Sequence, residues 1–427
     1  MNLVIKQLEL VEQVNTLDAD FERILRMVPA NETGFDTFNL HDYPAKFMPQ
    51  FPEIFIRHYS TEGQLVVDPM CGSGTTLIAA SLQDRRGYGV DIDPIARLIA
   101  SVAVTPLDPN VLSEYRRTIT QQIREAFQGN RTETVILPSQ DDYPNTSLWF
   151  RTEVLKELLV IRDVILSTKS ESPFKNFALL CLSSIVREVS NADPRDIFPE
   201  RDAAAPIRER KDVFAHFQRA LFDNANRVLA FSEKVRYETR AQIVSGDARG
   251  LDLADASAEL VFTSPPYCYA MDYARVHQLS TLLFIMNNQE LREHRKKYIG
   301  TDRVSRNGAL ESFDGFSFAE KRIRNVYAED SKYGMILYQY FSDMRRVTLE
   351  AFRILKPGGH LIYVIGNSTV KKTEFRTDHV FTEICRGVGF AIERMLERPY
   401  YAYRMTRKRN VQSNTIKADV FIIARKP

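Results

Sequence analysis

The apolar positions of this chain fall into two alternating patterns, short continuous runs and runs at helical spacing. The short runs are typical of buried strands, and each ends at a polar or glycine-containing turn. They occupy residues 65–67, 87–90, 241–244, 260–262 and 360–365. Helical patterns follow the first two runs directly, and strands that alternate with helices form parallel sheets. The pattern therefore predicts an α/β fold with a mostly parallel, Rossmann-like sheet.

The C-terminal part of the pattern departs from a purely parallel sheet. A helix over 338–355 is expected to stop at the Lys-Pro-Gly-Gly sequence of residues 356–359, which leads into the fifth apolar run. Residues 391–395 and 418–424 predict two more strands, with a basic run at 404–409 between them. That order predicts a terminal antiparallel hairpin.

Residues 107–240 interrupt the strand–helix alternation with several helical patterns, and we interpret them as a helical insertion. Its role is open between a target-recognition domain and a scaffold. The insertion divides the α/β domain into two parts, 41–106 and 241–427. An N-terminal helical segment, 1–40, precedes the domain, because apolar residues recur at helical spacing over 8–28.

A second interruption, residues 288–333, is polar, contains scattered glycines and is rich in basic residues beside Tyr298 and Phe316. Basic side chains with interleaved aromatic rings suit a phosphate backbone and unstacked bases, so this basic loop insertion is a candidate nucleic-acid contact. A charge-rich loop surrounded by solvent is the alternative. One helix, over 271–286, is predicted before the loop.

Composition limits the class of protein. The 427 residues are 44% hydrophobic and 26% charged, which excludes wholesale disorder, and no apolar run approaches the roughly 20 residues that span a bilayer. The N-terminus lacks a signal-peptide pattern, so a cytoplasmic protein without a membrane partner is expected. The formal net charge is only +2, so nucleic-acid affinity must come from local basic patches. The four widely spaced cysteines predict reduced thiols and no metal site.

The candidate catalytic turn is Ser264-Pro265-Pro266-Tyr267, which follows the strand at 260–262. The prolines fix their φ angles and have no N–H donor, so carbonyl oxygens and the Ser264 hydroxyl are presented as acceptors beside an aromatic ring. Acceptors next to a stacking ring suit a planar base with an exocyclic amine. A plain strand-ending turn is the alternative, because Ser and Pro are common turn residues.

A strand–loop–helix unit lies upstream, with the loop sequence Asp68-Pro69-Met70-Cys71-Gly72-Ser73-Gly74-Thr75. Glycines let a backbone approach a ligand closely, and the helix N-terminus offers free N–H groups. The loop has neither the Gly-Lys-Ser/Thr of phosphate-binding loops nor the Gly-x-Gly-x-x-Gly of nicotinamide-binding folds. Asp68 would repel phosphates, and its charge suits a cationic ammonium or sulfonium group instead.

Two more carboxylates stand at strand ends, Asp91 after 87–90 and Asp247 after 241–244. Ligands of open α/β sheets bind beyond the carboxyl ends of the strands, so these acids are expected to line one edge together with Asp68 and Ser264. Asp91 is expected to hold the ribose hydroxyls of a nucleoside. Asp93, which precedes a proline, is expected to cap the following helix.

The segment before the glycine loop, residues 41–52, contains three prolines, so a regular helix is expected only over 53–59. A rigid stretch at this place forms either one wall of the ligand pocket or a plain connector. Its position next to the glycine loop favours the wall.

In this order the motifs resemble the amino-group DNA methyltransferases, over most of the chain outside 107–240 and 288–333. The loop from Asp68 to Thr75 is similar to the family's S-adenosylmethionine loop, with Met70 in place of the usual Phe, and Ser264 opens a turn similar to its catalytic loop. The order resembles the family's alpha type, although here the insertion precedes the Asp247 strand. The resemblance implies a class I methyltransferase fold, S-adenosyl-L-methionine as cofactor and double-stranded DNA as substrate.

The resemblance also implies roles for individual residues: the segment from Tyr43 to Phe47 packs on the methionine end of the cofactor, Asp91 binds the ribose, and Asp247 lies near the adenine amine. The implied cofactor-binding set is Tyr43, Lys46, Phe47, Asp68, Met70, Cys71, Gly72, Gly74, Thr75, Asp91, Asp247 and Ser264. The implied catalytic set is Ser264, Pro265, Pro266 and Tyr267.

Many adenine enzymes of the family have Asp at the position of Ser264, so the N4 amine of cytosine is the leading target and the N6 amine of adenine the alternative. Methylation at carbon 5 of cytosine would need a nucleophilic cysteine, typically after proline, and none of the four cysteines follows a proline. An RNA guanine N2-methyltransferase and a catalytically inactive nucleic-acid-binding module are less favoured alternatives. A site-specific modification enzyme would pair with a cognate restriction endonuclease.

Overall fold

A computed structural model describes residues 36–427 of the chain. The residues left undescribed within this range are 45, 47, 194–195, 203–209, 237–240, 269–272, 306–307 and 400–417. The helix predicted over 8–28 and the basic run at 404–409 therefore lie outside the described residues, as does Phe47.

Seven of the described strands form one sheet, and two short strands form a separate hairpin. In chain order the strands are β1 Leu65–Asp68, β2 Arg86–Asp91, β3 Gln242–Ser245, β4 Ala258–Thr263, β5 Leu355–Ile365, β6 Ser368–Val370, β7 Thr373–Phe375, β8 Ala391–Pro399 and β9 Ala418–Arg425. The large sheet has the order β3-β2-β1-β4-β5-β9-β8. The first five strands of that order are parallel, and β9 is antiparallel to both β5 and β8. The mostly parallel sheet and its antiparallel C-terminal hairpin are confirmed.

Helices cover both faces of the sheet. In chain order the described helices are α1 Gln50–Tyr59, α2 Thr75–Ser81, α3 Pro94–Ala103, α4 Pro109–Gln128, α5 Arg131–Thr134, α6 Thr146–Trp149, α7 Thr152–Ser167, α8 Ser172–Val189, α9 Val213–Ser232, α10 Tyr273–Val276, α11 Gln278–Phe284, α12 Asn288–Arg295, α13 Ser317–Glu329, α14 Ser331–Ile354 and α15 Thr377–Val388. Among the helices in the described ranges, none has the length and hydropathy needed to cross a bilayer.

The chain winds outwards from the centre of the sheet in two directions. From β1 it continues to β2 and β3 on one side, and from β4 to β5 on the other, so that Val67 pairs with Tyr88 and also with Val261. The winding direction reverses between β1 and β4. A crevice at such a reversal is where open α/β sheets bind their ligands.

Successive residues of the central strands face opposite helix layers. Val66 of β1 packs in one cluster with Phe55 of α1, and Val67 packs in another with Phe341 of α14. All four side chains are fully buried. Because both faces of the sheet are covered, its strands are continuous apolar runs without a polar face, which is the pattern that the sequence shows.

Helices α4 to α9 form the insertion predicted over 107–240. Their apolar side chains belong to the same hydrophobic cluster as those of α2 and α3, with Phe177 of α8 and Ile99 of α3 as members. The insertion is therefore helical, as its spacing predicts, and it extends the core on the α3 side of the sheet. Its division from the α/β part as a separate domain, and its part in target recognition, stay predictions.

The stretch 288–333 is wrongly predicted as a loop. It contains α12 and α13 as well as the start of α14. A capping box starts α12, in which the Asn287 side chain accepts from the Glu290 N–H and the Glu290 carboxylate accepts from the Asn287 N–H. Buried Ala319, Ile323 and Val326 give α13 a narrow apolar stripe at helical spacing, which its many charged residues conceal.

Helix boundaries differ from the prediction at three places. The single helix expected over 271–286 is two short helices, α10 and α11, separated at His277, where the backbone leaves helical angles (φ −96°, ψ 6°). Helix α1 begins at Gln50 and not at Glu53, because Pro52 lies in the first turn, where no N–H donor is needed. Helix α14 does end at Ile354, but residues 356–359 already belong to β5, and the Gly358 N–H donates to the Lys426 carbonyl (2.9 Å).

Candidate active site

A cavity opens at the carboxyl edge of the sheet, where the winding direction reverses. Its lining residues are Tyr43, Lys46, Pro69, Met70, Cys71, Gly72, Ser73, Thr75, Asp91, Ile92, Asp93, Gly246, Asp247, Ala248, Ser264, Pro265, Pro266, Tyr267, Tyr273, Lys297, Tyr298 and Ile299. The structure thus brings together the loops that follow β1, β2, β3 and β4. Of the predicted site residues in the described part of the chain, Asp68 and Gly74 do not line the cavity.

At two positions of the glycine loop after β1, the backbone has a conformation that only glycine adopts easily. Gly72 has φ +52° and Gly74 has φ +86°, and Gly74 precedes α2. A Cβ at Gly72 would lie 3.2 Å from the Tyr43 ring, and one at Gly74 would lie 3.2 Å from the Cα of Ala100 in α3. Gly72 therefore sets how closely the Tyr43 wall approaches the loop, and Gly74 sets how closely α3 does.

Asp68 does not face the cavity, which corrects the expectation that it meets a cationic ligand group. Its side chain is buried, accepts from the Thr76 hydroxyl (2.6 Å) and accepts from the Met70 N–H (3.2 Å). Burial raises the pKa of Asp68 to about 6, although these hydrogen bonds oppose the shift. Asp68 thus ties the glycine loop to the first turn of α2.

Asp91 lines the cavity at the end of β2, as expected of a ribose-binding acid. Its Oδ2 accepts from the Gly72 N–H and its Oδ1 from the Asp93 N–H, both at 2.8 Å. Burial and the nearby Asp93 charge raise the pKa of Asp91 to about 7. The carboxylate is thus fixed between two loops, with remaining lone pairs available to a ligand.

Asp93 caps α3, as the sequence predicts. Its Oδ1 accepts from the Ile95 and Ala96 N–H groups (2.8 and 2.9 Å). Its Oδ2 lies 3.3 Å from His277 Nδ1 and accepts from the Tyr298 hydroxyl (3.2 Å). Burial opposes ionisation, but His277 and the backbone amides outweigh it and lower the pKa of Asp93. A buried carboxylate thus joins α3 to two segments that are distant in the sequence.

Asp247 lines the cavity, but an arginine already holds its carboxylate. Arg249 Nε and Nη2 donate to the two oxygens at 2.8 and 2.6 Å, and Arg249 Nη1 lies 3.0 Å from the buried Asp343. The Arg249 hydrogen bonds outweigh burial and lower the pKa of Asp247. Sequence analysis missed Arg249, whose one signal is its position two residues after a strand-end acid.

The Ser264–Tyr267 turn lies beside the cavity, and all four of its residues line it. The Tyr340 hydroxyl donates to the Pro266 carbonyl (2.8 Å), and the Tyr267 hydroxyl donates to Asp419 of β9 (3.4 Å). Within the described part of the chain, neither the Ser264 hydroxyl nor the Pro265 carbonyl has a hydrogen-bond partner. The turn thus presents two acceptors beside a ring whose position is fixed.

The wall that contains Tyr43 and Lys46 has a half-buried cation. Lys46 Nζ donates to the Phe38 and His41 carbonyls (3.1 and 2.8 Å), and burial lowers the pKa of Lys46 to about 8. Tyr43 packs against Gly72 and lies 5.1 Å, between ring centroids, from His277. The wall prediction is consistent with this placement of Tyr43 and Lys46.

Sequence analysis missed the residues that close the cavity opposite this wall. Tyr273 of α10 and three residues that follow α12, Lys297, Tyr298 and Ile299, line the cavity. The last three belong to the stretch that the sequence assigns to nucleic acid. No local motif marks them, because they reach the cavity only through the packing of α12 against the loop after β2.

The cavity suits a nucleoside. It combines an acid that can accept from ribose hydroxyls, Asp91, with apolar surface from Ile92 and Ile299 and a close-approach loop at Gly72. The one thiol in it, Cys71, stays protonated, because burial and the Asp91 charge raise its pKa well above the usual value. Among the described residues no cluster of three His, Cys, Asp or Glu side chains could hold a metal ion.

Comparisons with known proteins find similarity to DNA methyltransferases. The N6/N4 methylase family model, described as DNA methylase, matches residues 12–101. The type II methyltransferase M.MvaI of Kocuria varians is 25% identical over 82% of this chain and 80% of its own. M.MjaII of Methanocaldococcus jannaschii is 21% identical over 83% of this chain and 81% of its own, and M.BsoBI of Geobacillus stearothermophilus is 21% identical over 90% and 84%.

Among solved structures, a SAM-dependent methyltransferase of Methanosarcina mazei is similar over 87% of this chain and 96% of its own, at 10% identity and a TM-score of 0.32. That overlap is loose, so the fold assignment depends on the strand order and parallel pairing of the sheet itself. The matched family region contains the Tyr43 wall, the glycine loop and Asp91, which are three parts of the cavity. Together the family model and the curated relatives support an amino-group DNA methyltransferase, a class of enzyme whose cofactor is S-adenosylmethionine.

Proposed function

We propose that this protein is a type II DNA methyltransferase that transfers a methyl group from S-adenosylmethionine to the exocyclic N4 amine of cytosine. The observation that carries the proposal is that Ser264 and Pro265 line the cavity, while the Ser264 hydroxyl and the Pro265 carbonyl have no hydrogen-bond partner among the described residues. The relatives M.MvaI and M.BsoBI carry type II names, so a restriction-modification system with a cognate endonuclease is the corresponding biological setting.

Each part of the cavity has a place in cofactor binding under this proposal. Asp91 accepts from the ribose hydroxyls, and Asp247, held by Arg249, accepts from the adenine amine. Residues 70–73 and Tyr43 surround the methionine end, while Asp68 holds the loop in shape from behind. When bound, the cofactor supplies an electrophilic methyl group on its sulfonium sulfur.

The chemical task of the turn is to prepare the amine. An exocyclic amine is a poor nucleophile because its lone pair is delocalised into the ring of the base. Acceptors at Ser264 Oγ and the Pro265 carbonyl would bind the amine protons and increase electron density on nitrogen. The Tyr340–Pro266 hydrogen bond keeps these acceptors in place. With the cofactor bound, the amine nitrogen would attack the methyl carbon in line. The carbon–sulfur bond would break and leave S-adenosylhomocysteine, and the nitrogen would lose one proton to solvent.

Tyr267 is suited to hold the target base. Enzymes that modify a base extrude it from the duplex and stack it on side chains, and the Tyr267 ring borders the cavity beside the two acceptors. The hydrogen bond to Asp419 holds the hydroxyl end of the ring in place. An extruded base would therefore find a stacking surface and two acceptors on one short segment.

Ser264 favours cytosine N4 over adenine N6. Its hydroxyl is a neutral acceptor and donor, whereas an acid at this position would be acceptor-only when ionised. Methylation of adenine N6 is the second candidate, since the same acceptors suit either amine.

The deciding experiment identifies the product. DNA methylated by the purified protein, with isotopically labelled S-adenosylmethionine, is digested to nucleosides and weighed. Labelled N4-methylcytosine is expected, labelled N6-methyladenine would favour the second candidate, and incorporation into tRNA but not DNA would contradict a DNA substrate. Ser264→Ala, in which a cavity acceptor is removed, serves as the control for contaminating activity.

A further inference from the structure

Residues 294–299 contact the immediate neighbours of both acids to which the nucleoside end of the cofactor is assigned, Asp91 and Asp247. The His294 imidazole Nε2 hydrogen-bonds the Ile92 carbonyl (2.8 Å), and the Tyr298 hydroxyl donates to Asp93 Oδ2 (3.2 Å). Arg249 Nη2 donates to the Lys297 carbonyl (2.8 Å). Ile92 and Asp93 directly follow Asp91, and Arg249 holds Asp247. These three hydrogen bonds therefore attach this segment, which we call the clamp, to the loops after β2 and β3.

The clamp has an inner and an outer side. Tyr298 and Ile299 are half-buried and line the cavity, and Ile299 also packs against the core cluster beneath α14. Lys296 and Lys297 are exposed, as is Arg292 in the preceding helix α12, and Lys297 also lines the cavity, so it belongs to both sides. Lys296 is partly neutralised by Glu293 (2.7 Å), whereas the Lys297 ammonium forms no ion pair with any of the described residues. One short segment thus combines a surface for the cofactor with cations suited to a phosphate backbone.

We propose that the clamp couples the two substrates, so that a nucleoside ligand in the cavity raises the affinity for DNA and DNA raises the affinity for that ligand. A ligand that packs against Tyr298 and Ile299 stabilises the clamp in the position that presents its cations. DNA bound to those cations stabilises the same position from outside. Two ligands that favour one conformation increase each other's affinity by the same factor. The proposal rests on the methyltransferase function proposed above.

Tyr298 is the positioning residue of the clamp. Its hydroxyl shares Asp93 Oδ2 with His277, and Asp93 also caps α3, so the clamp is attached to a fixed point of the fold. Removing the hydroxyl leaves the ring in the cavity wall but detaches it from Asp93. Tyr298→Phe is therefore expected to reduce the coupling more than it reduces either single affinity.

The experiment measures DNA affinity with and without S-adenosylhomocysteine, with a short unmethylated mixed-sequence duplex at low salt. Couplings between two sites in proteins are typically about 5–150-fold, so an increase of at least about fivefold is expected for the unaltered protein. Tyr298→Phe and Ile299→Ala should bring the factor close to one. Tyr327→Phe is the matched control, because it removes a second tyrosine hydroxyl of the same region, one that lies away from the cavity and donates to the Gly308 carbonyl (3.2 Å).

S-adenosylhomocysteine affinity and thermal stability are measured first for each variant. Failure of the unaltered protein to bind S-adenosylhomocysteine would overturn the proposed function and this inference together. Binding with a coupling factor of one would overturn only the inference. So would an unchanged factor in both Tyr298→Phe and Ile299→Ala, or an equal decrease in Tyr327→Phe.

Discussion

Asp91 links cofactor binding to pH, because burial and the Asp93 charge raise its pKa to about 7. Hydrogen bonds from ribose hydroxyls favour the ionised carboxylate, so the ligand must compete with a proton below this pKa. We expect full S-adenosylmethionine affinity above pH 7 and a decrease of up to about tenfold per pH unit below it. Calorimetric titrations on both sides of neutrality measure this slope.

Two variants test whether Asp91 or Asp68, whose pKa is also raised, causes the pH dependence of cofactor binding. Asp91→Asn should bind the cofactor more weakly, by about 1–3 kcal/mol, and with little dependence on pH. Asp68→Asn is the matched control, because the pKa of Asp68 is also raised, to about 6, but its side chain does not line the cavity. A pH dependence that persists in Asp91→Asn and disappears in Asp68→Asn would contradict the ribose assignment.

Replacement of Ser264 and replacement of Tyr267 are expected to affect different steps of the reaction. Ser264→Ala removes an acceptor that acts on the amine in the transition state, so turnover should fall while cofactor affinity stays nearly unchanged. Tyr267→Ala should also weaken productive DNA binding, since stacking of a base on an aromatic ring is worth about 1–3 kcal/mol. Tyr267→Phe should restore much of that binding if the ring carries the role. Single-turnover methyl transfer, with folding checked by circular dichroism, distinguishes these outcomes; near wild-type rates in both alanine variants would contradict the catalytic role.

At the scale of residues, sequence predicts the place of a side chain better than its direction. Asp68 and Asp91 both end parallel strands, yet Asp68 turns into the core towards Thr76 while Asp91 turns into the cavity. The difference depends on a hydroxyl in the first turn of α2, which a pattern of apolar run plus acid does not contain. Arg249 was missed for a similar reason, since its role follows from its distance to Asp247 and Asp343.

At the scale of elements, the contact between α2 and α3 depends on Gly74. Gly74→Ala should destabilise the fold, because the left-handed backbone costs alanine about 1–2 kcal/mol and its Cβ would also lie 3.2 Å from the Ala100 Cα. Gly63→Ala is the matched control, with φ +77° and no atom within 4 Å of the added Cβ. Urea unfolding of the two variants should show a larger decrease in stability for Gly74→Ala, and equal decreases would contradict a tight contact between the helices.

Elements with strong periodicity were predictable and those with mixed signals were not. The apolar runs of β1 to β5 and the insertion helices α7, α8 and α9 have one period over their whole length. In α13 the period is carried by only three buried residues among charged ones, and the break between α10 and α11 coincides with the contact of His277 with Asp93. Both features depend on tertiary partners, so local spacing could not reveal them.

At the scale of the whole molecule, a net charge of +2 leaves DNA attraction to local patches. Replacing Lys296, Lys297 and Arg303 by Gln should weaken DNA binding and flatten its salt dependence, by up to about 0.9 in the logarithmic slope for each phosphate that is no longer neutralised. Replacing the exposed Arg117, Arg124 and Arg131 by Gln measures the contribution of the helical insertion to DNA binding for comparison. Filter-binding assays over a salt series give the slope for each triple variant. A change in slope only in the Arg117, Arg124 and Arg131 variant would mean that the insertion, and not the clamp region, binds DNA.

The order of strands and helices along the chain predicted the architecture. The residues that close the cavity could not be predicted in this way, because tertiary contacts place them. Strand-end loops meet at one edge in any open α/β sheet, so Asp91, Asp247 and Ser264 could be placed together from sequence alone. Lys297, Tyr298 and Ile299 could not, because α12 reaches the cavity through hydrogen bonds with Ile92 and Arg249.

The central position of β1 has a consequence for synthesis on the ribosome. The Leu65 N–H donates to the Glu259 carboxylate, 194 residues later, at the junction of β1 with β4. At about 5–20 residues per second, roughly 10–40 s separate the appearance of these two strands. During that interval the edge of β1 that will pair with β4 is unpaired on the nascent chain. The helices of the insertion are synthesised in the same interval. A change in elongation rate should therefore change the soluble yield of this protein through the nascent chain, without any change in the stability of the finished fold.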